Sequence, residues 1–340
     1  MTLIKDRIKP ASVPAITTRR LNPIVVFVAG AIVIVALTYM LPPFRTYQLA
    51  TIGAYFCVTA GLTVLTGLNG QLSLGHGALL ATGAYTFALM QNKFDLLIAG
   101  IVVAILVTTA VGAVIGLAAA RLRGPYLAGL TLAVAVVVPS VTSTFDGTFN
   151  SDQGLPVALE PPPGTIPVER WQAWLCWAGA LVTVLVLAYL TRSRFGLRMR
   201  AVRDDETAAR LAGIGVARTQ VLAFVVSAAC AGLAGALFAL LAQSVSPGAF
   251  PLTLSLFLVM AIVIGGLGRL AGALIGAFLL VALPAVAQSI GENAGSQRLE
   301  GNLSLTFFGV VLVAVMLAAP GGLAALRIRP RRARGAAKQH

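Results

Sequence analysis

Charge is scarce in this sequence, and so are the side chains that most chemistry requires. Asp, Glu, Lys and Arg together make up 11% of 340 residues, His occurs twice and Cys three times. No Asp or Glu falls inside any of the long apolar runs. That excludes the buried carboxylate with which a proton- or sodium-driven carrier couples ion to solute. No GxxxxGK[ST] run is present either, so the chain has no phosphate-cradling loop of its own. Cys57, Cys176 and Cys230 sit in or at the ends of apolar segments, with no CxxC and no His beside them. They read as small packing residues rather than metal ligands or disulfide partners.

What the chain has in excess is apolar surface and glycine. Hydrophobic residues reach 58%, glycines number 35, and the mean hydropathy is +0.90. Such values exclude an ordinary soluble domain and predict an all-α, polytopic membrane bundle, since glycine lets helices approach closely in lipid. The net charge of +14 would suggest a nucleic-acid partner in a soluble protein, but its distribution argues against one. Of 25 Lys and Arg, 21 fall in the N-terminal lead, the C-terminal tail and alternate loops, while seven of the 11 acids occupy the intervening loops. This asymmetry predicts both termini in the cytoplasm.

Taken in order, residues 1–22 form a basic cytoplasmic lead, 23–326 the transmembrane domain and 327–340 a basic cytoplasmic tail. About ten crossing or re-entrant segments are expected: Ile24–Leu41, Gln48–Thr66, Gly67–Tyr85, Leu96–Ala119, Tyr126–Phe145, Trp174–Leu190, Gln220–Ala242, Leu252–Gly268, Ala271–Ser289 and Leu303–Ala319. The first is long and followed directly by others, so it reads as retained rather than cleaved. Pro139 predicts a kink in the fifth. Residues 146–170 form a Pro/Gly/Asp-rich external loop, and Trp171, Trp174 and Trp177 mark a membrane interface.

Two segments do not read as regular lipid-facing helices. GLNGQLSLGHGALLATGAY, from Gly67, carries Asn69, Gly70, Gln71, Ser73, Gly75 and His76; the second half of the chain has GGLGRLAGALIGAF with Gly266 and Gly268. Gly-broken apolar segments in corresponding places of two halves point to a transport path. His76 has two readings that remain open, a hydrogen-bonded packing residue or part of a polar patch along that path.

The one long charged passage between apolar segments spans 192–218. Five arginines from Arg192 to Arg203 precede Asp204, Asp205 and Glu206, then Ala208, Ala209, Gly213 and Ile214. An Arg-rich loop commonly does no more than set topology. The acidic triplet is unnecessary for that, and it predicts a short helix, capped by Asp204 or Asp205 and ending near Gly213. Such a helix has little to bury against in its own chain and suits the grip of a partner. With no ATP loop here, any pumping must be driven by another subunit at this face.

These passages resemble the second membrane-spanning permease of the branched-chain (high-affinity, hydrophobic) amino-acid ABC transporters. The resemblance runs from about residue 47 to 326 in the family's order. It is carried by Gly-Gln-Leu-Ser-Leu-Gly-His at 70–76, Arg123–Gly124–Pro125–Tyr126, Arg194–Phe195–Gly196–Leu197–Arg198 through Gly213–Ile214, Ala231–Gly232–Leu233–Ala234–Gly235, Gly265–Gly266–Leu267–Gly268 and Pro320–Gly321–Gly322. It implies a bacterial inner-membrane importer subunit that has no catalytic residues, metal or cofactor and uses ATP through its partners. Those partners would be two ATP-binding subunits, a sister permease and a periplasmic or lipid-anchored solute-binding protein. It also implies that Glu206, Ala208, Ala209 and Gly213 lie on the helix docking into the ATPase. Pro139 and the proline-loaded stretch Pro156 to Pro167 depart from the family pattern. The family includes permeases for urea, short amides and aromatic acids. A stand-alone channel or secondary carrier is the rival from another class, and a non-transporting membrane scaffold a third.

Overall fold

The computed structural model describes residues 23–122, 125–150, 153–158, 162, 164–294, 306, 309–315, 317 and 322–326. The N-terminal lead, the basic tail, Arg123–Gly124 and much of the expected crossing Leu303–Ala319 lie outside them. The long helices are α1 (Pro23–Met40), α2 (Pro43–Leu62), α3 (His76–Phe94), α4 (Leu97–Ala119), α5 (Pro125–Thr144), α7 (Val168–Arg192), α10 (Val216–Ala242), α11 (Leu252–Gly265) and α12 (Leu270–Ala294). Between them lie the short α6 (Asp146–Phe149), α8 (Arg194–Asp204) and α9 (Glu206–Leu211). Among the described residues six helices are long and apolar enough to cross a membrane, and α1 and α12 contribute shorter apolar stretches. α3 is not one of the six; most of it is buried inside the bundle.

Several boundaries differ from the sequence expectation for local reasons, and two of them flank the break between α2 and α3. α2 starts at Pro43 rather than Gln48, because proline's fixed φ and missing N–H suit the first helical position. Arg45 therefore lies in its first turn. α2 then widens into a π-turn, Thr63–Leu68, and after Asn69 the chain stays non-helical from Gly70 until His76 starts α3. The segment expected to run from Gly67 to Tyr85 is thus a break followed by a helix. α5 continues as helix through Pro139.

α10 is the centre of the bundle, flanked by α2, α3 and α4. Its buried face is made of small residues, among them Ala223, Ser227, Ala228, Ala231 and Ala234. A Cβ on Gly235 would overlap the Leu80 carbonyl of α3, and one on Gly83 would sit 2.6 Å from the Gly232 oxygen. Contact this close needs glycine on both helices. In lipid, where no hydrophobic force drives helices together, such packing is the main source of association. Large apolar side chains such as Ile32, Ile98, Val114, Leu117 and Val136 point outward instead, as a lipid-facing shell requires.

The indoles of α7 tie its neighbours. Trp174 Nε1 donates to Thr38 Oγ1 at 3.1 Å and Trp177 Nε1 to the Leu49 carbonyl at 2.9 Å. At the same end β1 (Leu155–Pro156) pairs antiparallel with β2 (Ser244–Val245). Asn92 at the end of α3 clamps that ladder, donating to the Pro156 carbonyl at 2.6 Å and accepting from Ala158 N–H at 3.1 Å. Beneath it Tyr85, Phe149, Phe238 and Phe250 form a chain of ring contacts with centroids 5.3 to 6.4 Å apart.

Candidate functional site

The break between α2 and α3 is held open by side chains and backbone from five directions. Leaving the π-turn, Gly70 N–H donates to the Thr66 carbonyl at 3.1 Å, and Thr66 Oγ1 donates to the Gln71 carbonyl at 3.1 Å. Gly70 adopts φ 77°, a left-handed conformation that costs glycine nothing. Leu74 N–H donates to Thr131 Oγ1 of α5 at 3.0 Å, and Gly77 N–H to Ser255 Oγ of α11 at 3.0 Å. These bonds stand in for the helical ladder that the break forgoes, as backbone polar groups at membrane depth must be satisfied.

His76 is 1% exposed, and both its ring nitrogens are engaged. Nδ1 lies 2.9 Å from Ser73 Oγ and Nε2 lies 2.7 Å from Ser227 Oγ of α10. The imidazole, with its neighbour hydroxyls, links the break to the central helix. Asn69 and Gln71 are also buried, at 3% and 5% exposure. Asn69 Nδ2 donates to Gln71 Oε1 at 2.9 Å, while Asn69 Oδ1 has no partner among the described residues.

The charged passage folds as two helices rather than the single short one expected. Ser193 caps α8, its Oγ accepting from Phe195 N–H at 3.2 Å, so the arginine run is itself helical. Asp205 caps α9, Oδ1 accepting from the N–H groups of Thr207 at 2.7 Å and Ala208 at 3.0 Å. Asp204 closes α8 and pairs with Arg203 at 2.8 Å. Glu206 accepts from Gln220 Nε2 of α10 at 3.0 Å. Gly213 follows with φ 78° and ends the unit. The expectation of little internal packing is corrected here: Val202, Ala209 and Val216 form a small buried cluster with Ala201 and Ile214 against it. Ala208 and Leu211 face outward, Leu211 being 86% exposed.

These two regions meet through one side chain. Arg203 Nη1 donates to the Gly67 carbonyl at 2.7 Å, and its aliphatic stem packs on Gly70, where a Cβ would sit 2.9 Å from Arg203 Cγ. On its other side Gly67 abuts the second Gly-broken segment: a Cβ there would overlap the backbone of Gly268. Gly268 itself has φ 77°. Gly266, with φ 115°, is packed instead against Gly322 and Gly272.

Between α8–α9 and the break lies a cleft of about 510 Å³. Asn69, Gly70 and Gln71 line it from one side, Arg203, Asp205 and Glu206 from another, with Leu127 and Gln220 completing the wall. Ser73, Gly75, His76, Gly266 and Gly268 do not line this cleft. Sequence reasoning missed Arg203, Thr131, Ser227 and Ser255. Arg203 was hidden in an arginine run that reads as a topology signal, and a lone hydroxyl in an apolar helix gives no signal of its partner.

A family model described as branched-chain amino acid transport system / permease component matches residues 44–319. The chain is 29% identical over 337 residues to the high-affinity branched-chain amino acid transport system permease protein LivM of Escherichia coli (strain K12), spanning 91% of this chain and 77% of that protein. It is 28% identical over 296 residues to the permease protein LivH of the same organism, and 26% over 293 residues to BraD of Pseudomonas aeruginosa. Each of these alignments spans 80% of this chain and 92% of the relative. No solved structure matches.

Proposed function

The chain belongs to the family of branched-chain amino-acid transport permease components, and from that membership we propose that it forms part of the solute path of an ABC importer for branched-chain or related hydrophobic amino acids. It works in a bacterial inner membrane with both termini in the cytosol. A sister permease completes the path, a periplasmic or lipid-anchored receptor delivers the solute, and two separate subunits hydrolyse ATP.

One observation supports this reading above the others: the α8–α9 unit is bonded to the broken segment through Arg203 and Gly67. On this view the ATPase grips α9 by its outward residues Ala208 and Leu211, with Asp204, Asp205, Glu206, Ala209, Gly213 and Ile214 shaping the unit from within. Movement of α8 pulls on the Gly67 carbonyl and so on Asn69, Gly70 and Gln71, which line the cytosolic mouth of the path. Ser73, Gly75 and His76 hold the break against α5 and α10, and Gly266 and Gly268 form the matching turn of the second half. The cleft opens beside α8, whereas the opposite end is closed by the aromatic contacts of Tyr85, Phe149, Phe238 and Phe250. That arrangement fits a resting state open to the cytosol.

Transport does not require this subunit to do chemistry. Its role is to offer two backbone arrangements whose balance a partner's nucleotide cycle shifts. The test is reconstitution of the full complex in vesicles with labelled leucine. Uptake should require ATP and the receptor protein together. Leucine flux through this chain alone, driven by its own gradient, would establish the channel or carrier instead. ATP-dependent uptake of urea, a short amide or an aromatic acid, with leucine refused, would keep the mechanism and change the solute.

A further inference from the structure

A second cavity, of about 200 Å³, lies on the other side of the π-turn from the cleft. Its walls are Thr63, Val64 and Leu68 of the π-turn, Ala188, Thr191 and Arg192 at the end of α7, Arg200 of α8, and Gly268 with Leu270 at the start of α12. Two of these residues are cations, and no carboxylate among the described residues pairs with either. Arg200 Nη2 donates to the Thr191 carbonyl at 3.1 Å, which fixes its guanidinium against the end of α7. The remaining guanidinium N–H groups of both arginines have no acceptor among the described residues. In the same wall the Thr63 hydroxyl is buried and has no hydrogen-bond partner among the described residues. In a helix that hydroxyl would normally bond back to a carbonyl one turn earlier.

Two arginines lining one small cavity, neither paired with a carboxylate among the described residues, call for a tetrahedral oxyanion. A guanidinium's planar fork matches phosphate oxygens in pairs and binds them as charge-assisted bonds. The volume is several times the ~30 Å³ that a water occupies in the liquid, enough for a phosphate and a short stub beyond it. Position decides which phosphate. Arg192 terminates a 25-residue apolar helix whose other end carries the tryptophans, so the cavity sits at the depth of the lipid headgroups. The rest of its lining, Val64, Leu68, Ala188 and Leu270, is apolar. Basic pockets between helices at this level hold anionic headgroups.

We infer that the cavity bounded by Thr63, Arg192, Arg200 and Leu270 binds the phosphodiester of one anionic phospholipid. The bound phosphate joins α7, α8, the π-turn and the start of α12. It therefore braces the same elements through which Arg203 acts, from the opposite face. The site itself requires only that the chain span a membrane, so its test is independent of the solute.

The experiment is native mass spectrometry of the assembled complex, exchanged from detergent into mixtures of phosphatidylglycerol and phosphatidylcholine. One phosphatidylglycerol should remain bound after phosphatidylcholine is lost. Its retention should fall on the order of tenfold or more in an R192Q/R200Q double variant, a change expected from removing charge-assisted bonds. An R194Q/R198Q double variant, with the same change in net charge outside the cavity, should retain it. A photoactivatable phosphatidylglycerol added to the wild-type complex should label the α7–α8 junction, which keeps the test available if R192Q/R200Q does not assemble. Equal retention in all three proteins, equal loss in both variants, or labelling elsewhere would refute the site. Displacement of the lipid by inorganic phosphate would also refute it, by showing a free-anion site.

Discussion

Arg203 serves two acceptors at once, the Gly67 carbonyl and the Asp204 carboxylate. A lysine cannot span both, because it is a point charge without the fork. In reconstituted transporter, R203K and R203M should leave ATP hydrolysis running while leucine uptake per ATP falls on the order of tenfold, the loss of one charge-assisted bond. Unchanged coupling in R203M would remove this side chain from the transmission route. Ser227 makes a different kind of contribution. Replacing it by alanine strands a ring nitrogen of buried His76, a penalty of about 1–3 kcal/mol. S227A should therefore lower the melting temperature of the detergent-solubilised protein by a few degrees, with a smaller effect on the ratio of uptake to ATP hydrolysis than R203M. His76 was legible in the sequence as the one ionisable group deep in an apolar segment. Its role was not, because Ser227 lies 151 residues away and nothing in the linear order pairs them.

At the scale of elements, α9 is six residues long, below the length at which helices are stable alone. It persists because Asp205 caps it, Glu206 and Gln220 tether it, and Ala209 packs beneath it. D205A should cost about 1 kcal/mol of local stability, read as faster amide exchange across 206–211. G213P should uncouple hydrolysis from uptake without abolishing insertion, since proline cannot adopt the φ of 78° found there. E206K should act likewise by reversing charge in the first turn. Transport at wild-type efficiency in both would reduce the passage to a topological signal. The acidic triplet and Gly213 made this helix visible in the sequence. The preceding helix was not, because an arginine run reads equally well as an orienting loop until Ser193 is seen capping it. The break at 70–75 was likewise foreseen from its glycines, yet its limits were not: they depend on Thr131 and Ser255, which belong to other helices.

For the whole molecule, hydropathy and glycine content were enough to indicate a helical membrane bundle, because lipid admits few other backbones. Which helix would be central was hidden, since α4 and α11 are as apolar as α10. The answer lies in Gly83, Gly232 and Gly235, whose missing side chains let α3 and α10 touch along their backbones. G235L should prevent accumulation of folded protein, because the overlap falls on backbone that cannot move aside. Orientation has its own test in intact cells. A cysteine at Thr207 should react only with reagents that reach the cytosol, and one at Ala158 with impermeant reagents from outside. Both positions are exposed, Cys57 and Cys176 are buried, and replacing the half-buried Cys230 by alanine keeps the background low.

Where Gly67 meets Gly268, main chain rests on main chain with no side chain between. The side chain that holds this spot is Arg203, bonded to the Gly67 carbonyl, so any sliding of the two segments past each other is answered there and not at the contact itself. If α8 moves the broken segment as proposed, this contact serves as a plain bearing. Even the smallest added group, a single methyl at Gly67, would turn the bearing into a wedge.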